Sequence, residues 1–146
     1  MKKPIYQILH KRMVEHLKDE WVYDSKGIGF FSSIAVAERV IEQYRKIAGF
    51  CNCPNGFVIN KYMVDFHRKE RRNFVFVLEH FYEDESGYDI VTEPWIFSTM
   101  SEAENQMKKA KNEFPFCNHP DDFLISEYKL NKCEWTEGFK SNEKAD

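Results

Sequence analysis

Apolar positions along this chain alternate between the two-residue period of a strand and the three-to-four period of a helix. Residues 4–14, Pro-Ile-Tyr-Gln-Ile-Leu-His-Lys-Arg-Met-Val, are rich in β-formers and predict a strand. Residues 15–26 are polar apart from Trp21-Val22-Tyr23 and read as a loop, with a short strand at Gly27-Ile-Gly-Phe-Phe31. Ala37, Val40, Ile41, Tyr44 and Ala48 then recur at helical spacing, behind Ser32 or Ser33 as N-cap and ahead of Gly49 as C-cap. Cys51–Gly56 reads as a turn in which Gly56 takes positive φ, and 57–64 as a strand. The charged stretch 67–72 reads as a solvated connection.

The second half repeats the order. Strands are expected at 74–80, 95–97 and 123–130, with an acidic loop at 83–89. Thr99-x-x-Glu102 is a capping box for a helix with Ala103, Met107, Ala110 and Phe114 on its buried face, ended by Pro115.

The repetition reaches the residues themselves. Phe50-Cys-Asn-Cys-Pro-Asn-Gly-Phe-Val-Ile-Asn-Lys-Tyr62 returns as Phe116-Cys-Asn-His-Pro-Asp-Asp-Phe-Leu-Ile-Ser-Glu-Tyr128. Phe31-Ser32-Ser33 falls on Phe97-Ser98-Thr99, and His10 falls on His80 within similar apolar runs. The expected fold is α+β: two tandem ββαβ repeats in one open, largely antiparallel sheet, with both helices on one face and a pseudo-twofold axis. The expected boundaries are 1–72 for the first repeat and its basic linker, 73–140 for the second, and 141–146 for a flexible tail. About seventy residues is marginal for an independent core, so the copies are expected to share one and act as a single domain.

Composition adds constraints. Of 146 residues 42% are hydrophobic and 13 are Phe, which suits a bulky, filled interior. No apolar run is long enough to span a membrane, and the first residues lack the apolar core of a signal peptide. The four cysteines read as free thiols, and a cytoplasmic location is expected. Charge is split: residues 1–72 hold 14 basic against 8 acidic residues, and 73–146 hold 7 against 16. That asymmetry bears on association rather than on fold.

The strand ending in His10, Gly27-Ile-Gly-Phe-Phe-Ser-Ser33, the Ala37-Glu38 helix, Gly49-Phe50, Pro54, Gly56-Phe57 and Trp135-Thr-Glu-Gly-Phe139 form a pattern. It resembles a family of small uncharacterised bacterial domains of unknown function that usually occur as one copy. The second half keeps His80-Phe-Tyr-Glu83, Pro120 and the Trp135–Phe139 ending, whereas the first half continues after Val64 with Asp65-Phe66 and charges. The resemblance implies a fold and a bacterial origin, and brings no activity with it.

Candidate chemistry is sparse. Cys51, Cys53, Cys117 and His119 are zinc-type donors in equivalent turns, but a single residue between paired donors is shorter than the usual ligand spacing. No metal and no cofactor is therefore expected. His10 and His80, acid–base candidates by type, read first as hydrogen-bonded strand residues near the sheet edge. There is no phosphate loop, nucleophile elbow or HExxH, so an enzyme is not expected. The sequence pI near 6.0 and the acidic second half argue against a general nucleic-acid surface.

What remains is a non-catalytic, cytoplasmic protein-binding module. Its concrete form is an immunity-type protein that neutralises a basic bacterial toxin domain. The expected recognition residues are Tyr82, Glu83, Asp84, Glu85, Tyr88, Asp89, Glu93, Trp95 and Trp135: carboxylates to steer a basic partner and aromatics to anchor it. The alternative is a structural or regulatory homo-oligomer whose acidic half docks on a neighbour's basic half.

Overall fold

The computed structural model describes residues 2–17, 20–47, 50–51, 53–67, 73–87 and 89–134, of which 13–17 and 20–24 by backbone alone. The element order is β1 (Lys2–Leu17), β2 (Glu20–Phe31), α1 (Ile34–Tyr44), β3 (Phe57–Asp65), β4 (Phe74–Glu83), β5 (Asp89–Val91), β6 (Trp95–Phe97), α2 (Met100–Ala110), a 3-10 turn at Phe116–Asn118, and β7 (Phe123–Lys129). Strand–strand–helix–strand thus occurs twice, the second time with its second strand broken in two. The fold is α+β, as expected. Its strands, however, divide between a three-stranded sheet, β2-β1-β3, and a four-stranded one in which β5, β6 and β7 all pair with β4. The single sheet of the sequence reading is therefore two.

Two compact units account for these elements. The β1 unit holds Pro4–Tyr62 and, at the carboxyl end, Leu130–Glu134; the β4 unit holds Met63–Lys129 with Lys2 and Lys3. The units therefore do not follow the sequence halves, because the last residues of β3 and those after β7 each join the unit of the other half.

In the β1 unit the described residues of the polar stretch read as a loop are strand, 15–17 ending β1 and 20–26 opening β2. β1 and β2 pair antiparallel from Tyr6↔Phe31 to Leu17↔Glu20, with register shifts at Ile8/Leu9 and Met13/Glu15. Trp21-Val22-Tyr23 supplies β-forming side chains where polarity had argued for a loop. Ser33 caps α1, its hydroxyl accepting from Val36 N at 3.2 Å. Ala37, Ile41 and Tyr44 are buried with Ile8, Ile28, Phe31 and Phe50, and Phe57, Ile59 and Cys133 pack against that cluster half-buried. Ala48 and Gly49, read as face and cap of this helix, lie outside the described residues.

In the β4 unit β6 and β7 both run antiparallel to β4 and share its partners Phe76, Val77 and Leu78. They flank β4 and are parallel to each other, and α2 connects them over the central strand and packs on all three. Thr99 caps α2, accepting from Glu102 N at 3.2 Å and donating its own hydroxyl to Glu102 Oε1 at 2.9 Å. Ala103 and Ala110 are buried as expected, while Phe114 is 81% exposed. The reason is that α2 ends at Ala110, so Phe114 leaves the helical face before Pro115 is reached. Phe97, Phe123 and Ile125 are half-buried.

Candidate functional site

His10 and His80 stand on β1 and β4, the central strands, and are 0% and 1% exposed. They are not at a sheet edge. His10 Nε2 lies 2.9 Å from the Cys53 carbonyl, and His80 Nε2 lies 2.8 Å from that of His119. A carbonyl only accepts, so each ring carries its proton on Nε2 and donates it. Each imidazole is held between two phenylalanines, Phe50 at 5.0 Å and Phe57 at 4.6 Å for His10, Phe116 at 5.0 Å and Phe123 at 4.6 Å for His80.

The loops so held match in four main-chain bonds. Cys51 N donates to Ile47 O, Cys53 N to Phe50 O, Gly56 N to Cys53 O, and Lys11 N to Gly56 O. The corresponding bonds are Cys117 N to Glu113 O, His119 N to Phe116 O, Asp122 N to His119 O, and Phe81 N to Asp122 O. The histidines thus fasten the Phe-Cys-Asn-x-Pro loops to the sheets, and the repeated motif marks an anchored loop. Gly56 does not take the positive φ expected of it. Its missing Cβ is what matters, since one would stand 2.2 Å from the carbonyl of Lys11, the residue whose N–H closes the loop on Gly56 O.

The zinc-type donors are used accordingly. Cys51 and Cys117 are exposed, Cys53 and His119 contribute main-chain carbonyls, and the His119 ring lies 3.4 Å from Asp122. Among the described residues no three His, Cys, Asp or Glu side chains form a metal-binding group.

The expected recognition residues fall on two faces. Tyr82 and Trp95 lie with Leu78 and His80 on the face of β4 that carries the Phe116 loop, by strand alternation and by the pairing Leu78↔Trp95. Tyr82 stacks on His119 at 3.8 Å and 10°, and Trp95 packs on Phe116 at 5.2 Å, both half-buried. Glu83 and Asp89 lie on the opposite face, directly paired across β4 and β5 and both exposed. Asp84 Oδ1 accepts from Ser86 N at 2.8 Å and shapes the turn, with Glu85 exposed beside it and Glu93 exposed after β5. Tyr88 and Trp135 lie outside the described residues.

The face of Glu83 and Asp89 also carries side chains that the sequence reading passed over. Phe81 pairs with Val91 next to them, and Leu124 pairs with Glu79 one step further along. These three are 43%, 60% and 47% exposed. Burial pushes the Glu79 carboxyl up from its ordinary value. The result is a short apolar strip on a sheet surface, ending in facing carboxylates. Alternation along Phe74–Glu83 was the available signal, since placing His80 inward places Phe81 outward.

Residues 73–139 match the model of a family described as a domain of unknown function, DUF7336. The match begins where the second copy of the repeated pattern begins and extends through Trp135–Phe139. No curated protein and no solved structure is significantly similar to the chain.

Proposed function

We propose that the chain is a protein-binding module whose docking surface is the exposed end of the β4 face that carries Phe81 and Glu83, with β5 and β7 beside it and beyond the buried Val75 and Val77. Phe81, Val91 and Leu124 form its centre, and Glu83, Asp89 and the hairpin carboxylates form one rim. The observation that carries this reading is the apolar strip ending in two like charges directly across a ladder. Like charges so placed are unfavourable within the fold, and among the described residues neither has an ion-pair partner. A basic partner surface relieves that repulsion while its apolar groups cover the strip.

The corresponding surface of the β1 unit supports the reading by contrast. There the strand pair Phe81↔Val91 is replaced by Lys11↔Ser25. The apolar strip belongs to one unit, so it is not a requirement of the shared strand order. The finer form of the proposal is an immunity-type protein whose basic partner is a bacterial toxin domain, bound with its active site covered.

The test compares the wild-type chain with Phe81→Asp/Leu124→Asp and with Glu83→Lys/Asp89→Lys. A protein retained from a lysate of the native host counts only if it is basic and both variants weaken it. Charge reversal should slow association, most at low salt, whereas Phe81→Ala should raise the off-rate at any salt, with a loss of about 2 kcal/mol if it is a central anchor. Binding unaffected by both sets of changes overturns the assignment. Salt-sensitive self-association of the purified chain, abolished by the same variants, would instead favour the homo-oligomer.

A further inference from the structure

We propose that the outer edge of β2 is a binding site for an extended peptide, filled here by the chain's own residues Leu130–Glu134 and open to that segment of a second copy when it is released. β2 is an edge strand of its sheet, and an edge presents unpaired main-chain groups to any strand laid against it. Asn131 N donates to Phe30 O at 2.8 Å and Glu134 N to Ile28 O at 2.7 Å. The segment thus bonds alternate carbonyls of β2 while running opposite to it, which is recognition by strand addition.

Side chains give the site its specificity. Asn131 adopts φ 63°, and its Oδ1 accepts from Ser32 N at 3.0 Å while its Nδ2 donates to Ser32 Oγ at 3.1 Å. Leu130 is buried, and Cys133 packs against the cluster of Ile8, Ile28 and Phe31. The Tyr44 hydroxyl is held above its ordinary range chiefly by burial and then by its hydrogen bond to Cys133. Gly29 lets the backbones approach, because a Cβ there would stand 2.4 Å from the Lys132 carbonyl. Backbone, polar side chain and apolar side chain are all engaged by five residues.

A related contact, made by a side chain, occurs at the matching place in the β4 unit. Ser98, which matches Ser32, is buried and donates to the Asp65 carbonyl at 2.7 Å, and Asp65 stands at the place matching Asn131. Val64 and Phe66 beside it are buried. Each half of the sequence is therefore contacted at this place by the end of the other half's last strand. A closing segment that already comes from elsewhere in the chain is the element that exchanges between separate chains in strand swapping.

The experiment uses the full chain and a synthetic peptide of residues 130–139. Asn131→Pro removes the N–H that bonds Phe30 O and forbids the left-handed φ, so the strap is released. Fluorescence anisotropy should then show saturable peptide binding to the variant and at least about tenfold weaker apparent binding to wild type, whose site is occupied. A Gly29→Val change in the same variant should abolish it. Hydrogen exchange on wild type provides an independent reading: the amides of Asn131 and Glu134 should be protected at least about tenfold relative to an exposed amide. Equal binding to both chains, no binding to a folded variant, or unprotected Asn131 and Glu134 amides would each overturn the proposal. Should Asn131→Pro fail to fold, Ser32→Ala serves as the weaker release and the exchange measurement decides.

Discussion

Replacing His80 by Phe tests whether the matched histidines exist to hold loops. The ring is 1% exposed and lies between Phe116 and Phe123, so phenylalanine keeps most of the packing and deletes the 2.8 Å bond to the His119 carbonyl. A neutral hydrogen bond contributes about 1 kcal/mol net, and a carbonyl left without a donor raises the cost to roughly 1–3 kcal/mol. His80→Ala loses the same bond and also opens a cavity, which brings the cost to about 3–5 kcal/mol. The assay is urea unfolding followed by aromatic fluorescence. With a slope of about 2 kcal/mol per M, the Phe variant should unfold about 1 M earlier and the Ala variant about 2 M earlier.

A second readout separates this account from general loosening. Phe81 N donates to Asp122 O and Asp122 N to His119 O, so both amides should exchange faster in His80→Phe while those of α2 hardly change. His10→Phe should behave alike in the β1 unit, where the 2.9 Å bond to Cys53 O plays the same part. If His80→Phe is as stable as wild type within about 0.5 kcal/mol, the imidazole is not there to hold the loop and the reasoning fails.

Gly56→Ala should destabilise by about 1–3 kcal/mol, because the new Cβ meets the Lys11 carbonyl at 2.2 Å and backbone must move; a neutral result in urea unfolding would refute the close approach. Glu79→Gln should make the chain more stable at neutral pH and hardly change it below the ordinary carboxylate value. The sign follows from the carboxyl being raised by burial: the folded state holds its proton longer, so wild-type stability is full below the unfolded pKa and falls as pH rises through the folded one. A wild-type minus variant difference that does not change between pH 4 and pH 8 would refute it.

The sequence made the order of elements legible because strand and helix periods differ and because the order is written twice. It misread residues 15–26, where hydrophilic composition outweighed the β-forming Trp21-Val22-Tyr23. It also joined the strands into one sheet. Pairing partners depend on contacts that periodicity does not encode, and the three-residue β5 is too short to show any period. The histidines were read as edge residues since polarity argues for exposure. Their burial depends on a carbonyl 43 residues away for His10 and 39 for His80, which a local pattern does not reveal.

The same contrast bears on where function lies. Features present in both halves are His10 and His80, their flanking phenylalanines, the four main-chain loop bonds and the helix caps, and all of them serve the fold. The imidazoles of His10 and His80, suggestive as acid–base groups in the sequence, are accounted for by the loops they hold. What a shared fold does not require is what differs between the halves. Phe81 stands where the first half has Lys11, and the acidic β4–β5 tip, Glu83 to Asp89, stands where the first half runs on as one long hairpin. An exposed phenylalanine beside Val91 and Leu124 adds apolar surface that costs solubility. For that reason the docking proposal rests on Phe81, Val91, Leu124, Glu83 and Asp89 rather than on the repeated motif.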